Sequence, residues 1–360
     1  MSAPSLSIHT SLDELPGGAC DIFAAARRHD FALGREWFCN LILNGLATDG
    51  EPCFAVLSRG PSALAMVPLQ RHGRGRLSSL SNCYTSLYAP LVAAGAPLVE
   101  TAWLLGRELG GFCRAWPSIR LDALPSEWVG MDGFIAGLAD AGLAVRRFAD
   151  FGNWHETLRG RSWPEYLASR AGGLRELLRR KTRQATRRGG LEFEVISEMD
   201  ALARGITAYE AVYGCSWKPP EPYPRFNPGL MREAARCGAL RLAVAWRGEH
   251  PAAAQMWIVA NGRATVMKLA HDEADGALSP GTLLTAWMVQ QLIGDGIEAL
   301  DFGRGDDPYK QLWASERRQR IGLMLYNPRR PRGLAALAWH DAGAATRPLR
   351  YTALARSGVM

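Results

Sequence analysis

The run from Ser279 to Trp313, SPGTLLTAWMVQQLIGDGIEALDFGRGDDPYKQLW, constrains the fold more than any other part of the chain. Ser279-Pro280-Gly281-Thr282 is a tight turn that opens a helix, where unpaired backbone N–H groups and the helix dipole favour an anion. Gly281 leaves the backbone open to close approach. Leu283, Leu284, Trp287, Met288, Gln291 and Leu292 follow at helical spacing, and Gly294 and Gly296 stop the helix. Ile297 to Phe302 reads as a short buried strand, and Pro308 sits where the first turn of another helix tolerates proline, with Tyr309, Lys310 and Trp313 behind it. Ser-Pro-Gly alone is also an ordinary capped turn. The order strand, turn, helix, strand, polar helix makes the stretch a binding edge for a phosphorylated ligand.

The rest of the chain is consistent with a large globular protein. Its 360 residues predict two domains, and 48% hydrophobic with 21% charged residues allows each a core. No run of about 18 apolar residues exists to span a bilayer, and the first residues lack the basic-then-apolar order of a secretory signal, so a cytoplasmic location is expected. Seven cysteines (20, 39, 53, 83, 113, 215 and 237) are scattered without a C-x-x-C pair and read as reduced thiols.

An internal repeat supports duplication. FAVLSRGPSALAMVPLQ (54–70) and LAVAWRGEHPAAAQMWIV (242–259) each read as a hairpin, with Ala55, Val56, Arg59 and Gly60 matching Ala243, Val244, Arg247 and Gly248. Helices are predicted at 97–110, 127–141, 173–187, 199–213 and 228–237. Strands are predicted at 117–122, 191–197, 240–246, 252–260, 264–270, 297–302 and 320–326, with 143–158 an extended pair broken near Phe151-Gly152. Asn261-Gly262 turns a hairpin. Ser162-Trp163-Pro164-Glu165 is a capping box that starts a helix and a new domain. Residues 1–34 are left without a defined element.

Charge is concentrated between Arg170 and Arg188, where eight basic residues face the single Glu176, in a chain whose total excess is +7. Arg180, Arg183 and Arg187 share a helix face. They are either a solvated surface or a grip on an anionic partner: the phosphates of the ligand at the 279–282 turn, a sugar nucleotide, a polysaccharide or tRNA. His271, Asp272 and Glu273 follow a strand close to where an acceptor proton would be removed. Trp217, in CSWKPPEPYPRF, either stacks on an acceptor or packs in the core. Asp301 is catalytic or caps the next turn. Asp306-Asp307 have no second ligand cluster at metal spacing, so no metal is expected.

The motif S-P-G-x-L-L, then G, D-F-x-x-G and Y-K-x-x-W, is met by Ser279, Pro280, Gly281, Leu283, Leu284, Gly296, Asp301, Phe302, Gly305, Tyr309, Lys310 and Trp313. It resembles the GNAT acyltransferases, and more narrowly their FemAB-like, CelD-type acetyltransferases of polysaccharide biosynthesis. The resemblance extends weakly to the Arg-rich helix and to PLQ and NCYTSLYAPL in the first half. It implies an α/β (α+β) fold of two tandem GNAT-like domains, each a mixed, mostly antiparallel sheet flanked by helices. Residues 1–158 would be a degenerate acceptor-side domain, 159–328 the acyltransferase domain and 329–360 a peripheral tail. Coenzyme A would lie with its pyrophosphate on the helix start and its pantetheine between splayed strands at Ala264–Ala270 and Ile297–Phe302. The implied donor-binding residues are Ser279, Pro280, Gly281, Thr282, Leu283 and Lys268, the catalytic ones Lys310, Tyr309, Asp301 and His271, and the acceptor-binding ones Trp217, Arg180, Arg183 and Arg187. The resemblance further implies transfer of an acetyl or other acyl group from acyl-CoA to an amine or hydroxyl of a sugar or cell-envelope precursor. Two alternatives stand beside it: FemAB-type transfer from aminoacyl-tRNA to a peptidoglycan precursor, and a non-enzymatic accessory role in polysaccharide biosynthesis.

Overall fold

In the computed structural model, residues 3–356 are described apart from Arg74 and Gly189, with side chains described to residue 343. The first half contains strands β1 (Pro4–His9), β2 (Gly50–Arg59), β3 (Ser62–His72), β4 (Arg76–Ser79), β5 (Leu91–Val92), β6 (Ser118–Pro125) and β7 (Ala144–Thr157). Its helices are α1 (Ala19–Arg27), α2 (Arg35–Asn44), α3 (Leu98–Cys113) and α4 (Met131–Asp140). The second half adds α5 (Trp163–Ala168), α6 (Gly172–Arg187), β8 (Glu192–Ile196), α7 (Met199–Gly214), α8 (Phe226–Arg236), β9 (Leu240–Arg247), β10 (His250–Ala260) and β11 (Arg263–His271). It closes with α9 (Pro280–Gly294), β12 (Ala299–Arg304), α10 (Pro308–Gln311), β13 (Glu316–Tyr326) and α11 (Pro331–Arg356).

All these strands form one sheet in the order β1-β2-β3-β4-β6-β13-β7-β12-β11-β10-β9-β8, with β5 beside β3. It is antiparallel except for two pairs, β4 with β6 and β11 with β12. Each parallel pair is bridged by a helix, α3 in the first half and α9 in the second, because parallel neighbours need a crossover. The two repeated hairpins turn at the same place: Arg59 pairs with Ser62 around Gly60, and Arg247 with His250 around Gly248. Both glycines have positive φ, 59° and 61°, which an L side chain resists. The fold is thus a duplicated GNAT-like sheet, with β7 and β13 joining the halves.

Alternation along the strands divides the core. Phe54 and Val56 of β2, with Leu242 and Val244 of β9, face a core under α1, α2, α7 and α8 that belongs to both halves. Trp37 meets the Phe226 ring edge-on at 5.5 Å, and Tyr84 stacks on it at 4.4 Å. On the opposite face, Ala55 and Leu57 join α3 and α4, while Ala243 and Ala245 join α6 and α9.

Three expectations are corrected. Residues 4–9 are an edge strand, and 19–27 and 35–44 are helices, where no element was assigned. Residues 144–157 form one continuous strand rather than a broken pair. Gly152 marks a close approach instead of a turn, because a Cβ there would overlap the Asp306 carboxylate. The strand expected at 320–326 begins at Glu316 and lies among first-half strands, between β6 and β7. The tail after Pro328 is largely the helix α11, tied to the sheet by Arg146 with Asp341 and by Tyr326 with His340.

Candidate active site

Strands β11 and β12 pair only from Arg263/Ala299 to Thr265/Asp301, then separate. Between them opens a cavity of about 600 Å³. Gly303, at φ 64°, bends the β12 wall, and the start of α9 forms one edge through Gly281 and Thr282. Two backbone N–H groups of this turn, those of Thr282 and Leu283, are taken by Ser279 O. The N–H of Gly281 is left without a backbone acceptor among the described residues. Ser279 itself is in the left-handed conformation, φ 55°, with no capping hydrogen bond from its side chain.

A buried polar chain fixes this turn to α10. Gln255 donates to Gly281 O at 2.9 Å and to Thr285 Oγ1 at 2.7 Å, and Trp257 Nε1 donates to Gln255 Oε1 at 3.1 Å. The single Thr285 proton goes to Gly281 O at 3.0 Å, so the Tyr309 hydroxyl, 2.8 Å away, donates to Thr285. Burial pushes the Tyr309 phenol up to about 12 and keeps it protonated. The Lys310 ammonium donates to Arg304 O and to Gly305 O, closing the turn after β12. Burial lowers its pKa.

His271 stands at the far end of β11, its ring 4.6 Å from that of Trp217. Burial holds its pKa below 6.5, so the imidazole is neutral near pH 7. A Cβ on Gly281 would lie 3.5 Å from His271 Nδ1, which places the ring directly over the helix start. Lys268 pairs with Glu221 at 2.7 Å and lies 4.7 Å from the Tyr84 ring centre. Glu221 also accepts from Tyr84 at 2.5 Å and from Asn227 at 3.1 Å. Burial opposes its charge, but Lys268 and Tyr84 outweigh that and keep it ionised.

Of the residues singled out in the sequence, Gly281, Thr282, Lys268, His271, Trp217, Tyr309 and Lys310 line the cavity together. Others do not. Leu283 is 6% exposed and packs in the core under α9, and Pro280 is buried at its first turn. Asp301 is a brace: it accepts from Asn153 and Gly303 N–H, both at 2.7 Å, and pairs with Arg318. Burial disfavours its charge, but these partners hold the carboxyl below its usual range. Arg180, Arg183 and Arg187 line a separate groove on α6. That helix packs on α9 through Leu174 and Leu178, and its Lys181 donates to Ala277 O just ahead of α9.

The cavity also holds residues not anticipated as ligands: Cys83, Tyr84 and Ser86 from the first half, Lys218, Arg304 and Asp307. Burial, reinforced by Lys268, lowers Lys218 to about 8. Their sequence signals were the NCYTSLYAPL and CSWKPPEPYPRF segments, whose loops converge only in three dimensions. Four cations (Lys218, Lys268, Arg304 and Lys310) against Asp307, Glu221 paired with Lys268 and Asp150 paired with Arg304 make the cavity attractive to anions. Away from it, His250, Asp272 and Asp275 bring ligand atoms within 4.8 Å of one another, but Arg247 lies 2.6 Å from Asp275 and already supplies a cation.

Comparison with known proteins agrees with this geometry. Residues 173–311, which span α6 to α10, match the family model of the acetyltransferase (GNAT) domain. The second half is thus similar to a GNAT domain, and the whole chain has a tandem GNAT-like fold. FemX superposes with a TM-score of 0.56 at 10% identity, over 84% of this chain and 94% of that one. The C-terminal domain of a putative lysylphosphatidylglycerol synthetase from Agrobacterium fabrum gives 0.51 at 16% identity, over 91% and 96%. A tandem GNAT protein of the clavulanic acid biosynthesis pathway gives 0.50 at 12%, over 89% and 98%. Among curated proteins, no sequence matches this chain. Among the described residues no helix is long and apolar enough to cross a membrane.

Proposed function

We propose that the protein transfers an acyl group from a coenzyme A thioester to an amine or hydroxyl of a cell-envelope or polysaccharide precursor. The observation that carries this is the separation of β11 from β12 beyond Thr265 and Asp301, opening onto the α9 start. Exposed strand edges there offer N–H and C=O groups to an amide-containing arm, and Gly281 N–H with the surrounding cations receives phosphate. Rate acceleration comes from holding thioester and nucleophile together and from donors aimed at the developing oxyanion. Neutral His271 accepts the nucleophile's proton, and Tyr309, whose own proton goes to Thr285, braces the α9 start. Trp217, half exposed over His271, covers the acceptor side. Because burial depresses His271, the acid limb of kcat/KM should fall below 6.5, and His271→Gln should remove that limb.

One observation favours aminoacyl-tRNA as donor instead. The arginine-bearing helix α6 packs on α9, and its Lys181 donates to Ala277 O just ahead of the α9 start, so a polyanion lying along α6 would reach toward the same cleft. Thermal unfolding distinguishes the donors. Acyl-CoA at about 100 times its Kd should stabilise the fold by ~2.7 kcal/mol. Gly281→Ala should retain that shift, because a Cβ makes only ordinary contact, whereas the branched Gly281→Val should crowd His271 and lose it. No shift with acyl-CoA, together with binding of aminoacyl-tRNA, would move the assignment to the second donor.

A further inference from the structure

The duplication repeats the splay of a parallel strand pair as well as the strands. In the first half β4 and β6 pair only at Leu77/Ile119 and Ser78/Arg120 and then separate. The departing strand carries a positive-φ residue, Ala123 at 59°, much as β12 carries Gly303 at 64°. Past it lies a cavity of about 560 Å³, bordered by the start of α3 at Leu98 and the end of β6 at Pro125. The chemistry of this second cleft is different. Its helix start has Glu100 in the first turn and Pro97 as cap, so it repels the anion that the α9 start would attract.

The cleft is walled mostly by aliphatic side chains, including Leu33, Leu87, Leu91 and Leu98, with Trp128 beside them. Its positive charge comes from the sheet and from the exposed Arg28 at the end of α1. Arg320, whose side chain is 3% exposed, lines the cavity next to Pro125. Among the described residues its Nη1 donates to Glu127 at 3.0 Å, while its buried Nε has no acceptor. Glu127 is about half exposed and so can turn to water. The other sheet arginines of the cleft are already neutralised, Arg318 by Asp301 and Arg263 by Asp30. A buried guanidinium at the wall of an apolar cavity, with one donor unpaired, is costly unless an acceptor reaches it. Val129, next to Trp128, and Val99, next to Leu98, are 72% and 55% exposed and extend the apolar surface beside the cleft.

We propose that this cleft is a second ligand site, for an amphipathic anion whose carboxylate or phosphate monoester sits on Arg320 and whose apolar chain lies along Leu87, Leu91, Leu98 and Trp128. The site stands apart from the acyl-transfer reading, because it shares no lining residue with the first cavity.

The test is calorimetric titration of the full chain with dodecanoate and with dodecyl phosphate, each below its micelle concentration, and with dodecyltrimethylammonium as the cation. One anion should bind per chain, and the tighter of the two identifies the head group. Arg320→Met keeps the aliphatic stem and should weaken binding at least about tenfold, the loss expected for one charge-assisted hydrogen bond. Glu127→Gln releases Arg320 from its half-exposed carboxylate and should tighten binding several-fold. This surface change keeps the test decisive if Arg320→Met does not fold. Binding of neither anion, equal binding of the cation, or an affinity unchanged or weakened in Glu127→Gln would overturn the proposal.

Discussion

Lys218 and Lys310 line the same cavity, yet their ammonium groups are placed differently. Lys310 spends two donors on Arg304 O and Gly305 O, so it positions the turn after β12 as well as facing the ligand. Lys310→Met should therefore cost about 1–2 kcal/mol of stability in addition to activity, read by denaturant unfolding. Lys218 has no hydrogen-bond acceptor for its ammonium among the described residues, only the Trp217 ring at 5.6 Å. Its pKa near 8 gives two signed expectations. An anionic donor binds the protonated form, so donor affinity should fall as pH rises through about 8, and Lys218→Met should flatten that profile. The folded pKa lies below the ordinary 10.5, so the protonated amine destabilises the native state; that penalty is complete below about 8 and relieved as pH climbs to 10.5. Lys218→Met should accordingly raise Tm near neutrality and lose the advantage in alkali. Gly281, Tyr309 and Lys310 were legible in the sequence because turn and cap chemistry is local. Lys218, Tyr84 and Glu221 were not, because their role depends on loops more than a hundred residues apart meeting at Lys268.

At the scale of elements, α6 and α9 pose the question of donor. The α6 arginines form a groove of their own, on a helix that packs on α9 and whose Lys181 donates to Ala277 O in the turn before it. If they grip only a small donor, few counterions are released and binding should depend weakly on salt. The expected result is a shallow slope in donor Kd between about 50 and 300 mM salt, little changed in an Arg180/Arg183/Arg187→Gln triple variant. A steep slope that flattens in the variant would identify a polyanionic donor. The helices α3, α4 and α6 to α9 were readable from spacing and caps, including the Ser162–Glu165 capping box. Strand β1 was not: its alternation, PSLSIH, is short, and only pairing with β2 makes it a strand. Likewise Phe151-Gly152 looked like a break because glycine commonly marks one, whereas here it makes room for the Asp306 carboxylate.

For the whole molecule, the sheet crosses the midpoint of the chain twice. Strand β7 pairs with β12, and β13 returns between β6 and β7, while the core around Trp37 and Phe226 draws on both halves. No sequence period announces this, since the partners of β13 lie more than 150 residues away. We propose residues 1–158 and 159–328 as two GNAT-like repeats, but not as separable ones. Residues 1–158 expressed alone would leave facing edges on β6 and β7 unpaired and should aggregate or fail to unfold cooperatively, whereas the full chain should melt in one transition. The position of β13 also sets a timetable during synthesis. Strands β6 and β7 emerge from the ribosome well before the strand that belongs between them, and the space must stay open while about 160 further residues are made. Closing it comes late and over a long loop, which makes folding slow. The nascent chain is therefore exposed to chaperones and to sticky encounters for longer than a simple two-bead protein of this size.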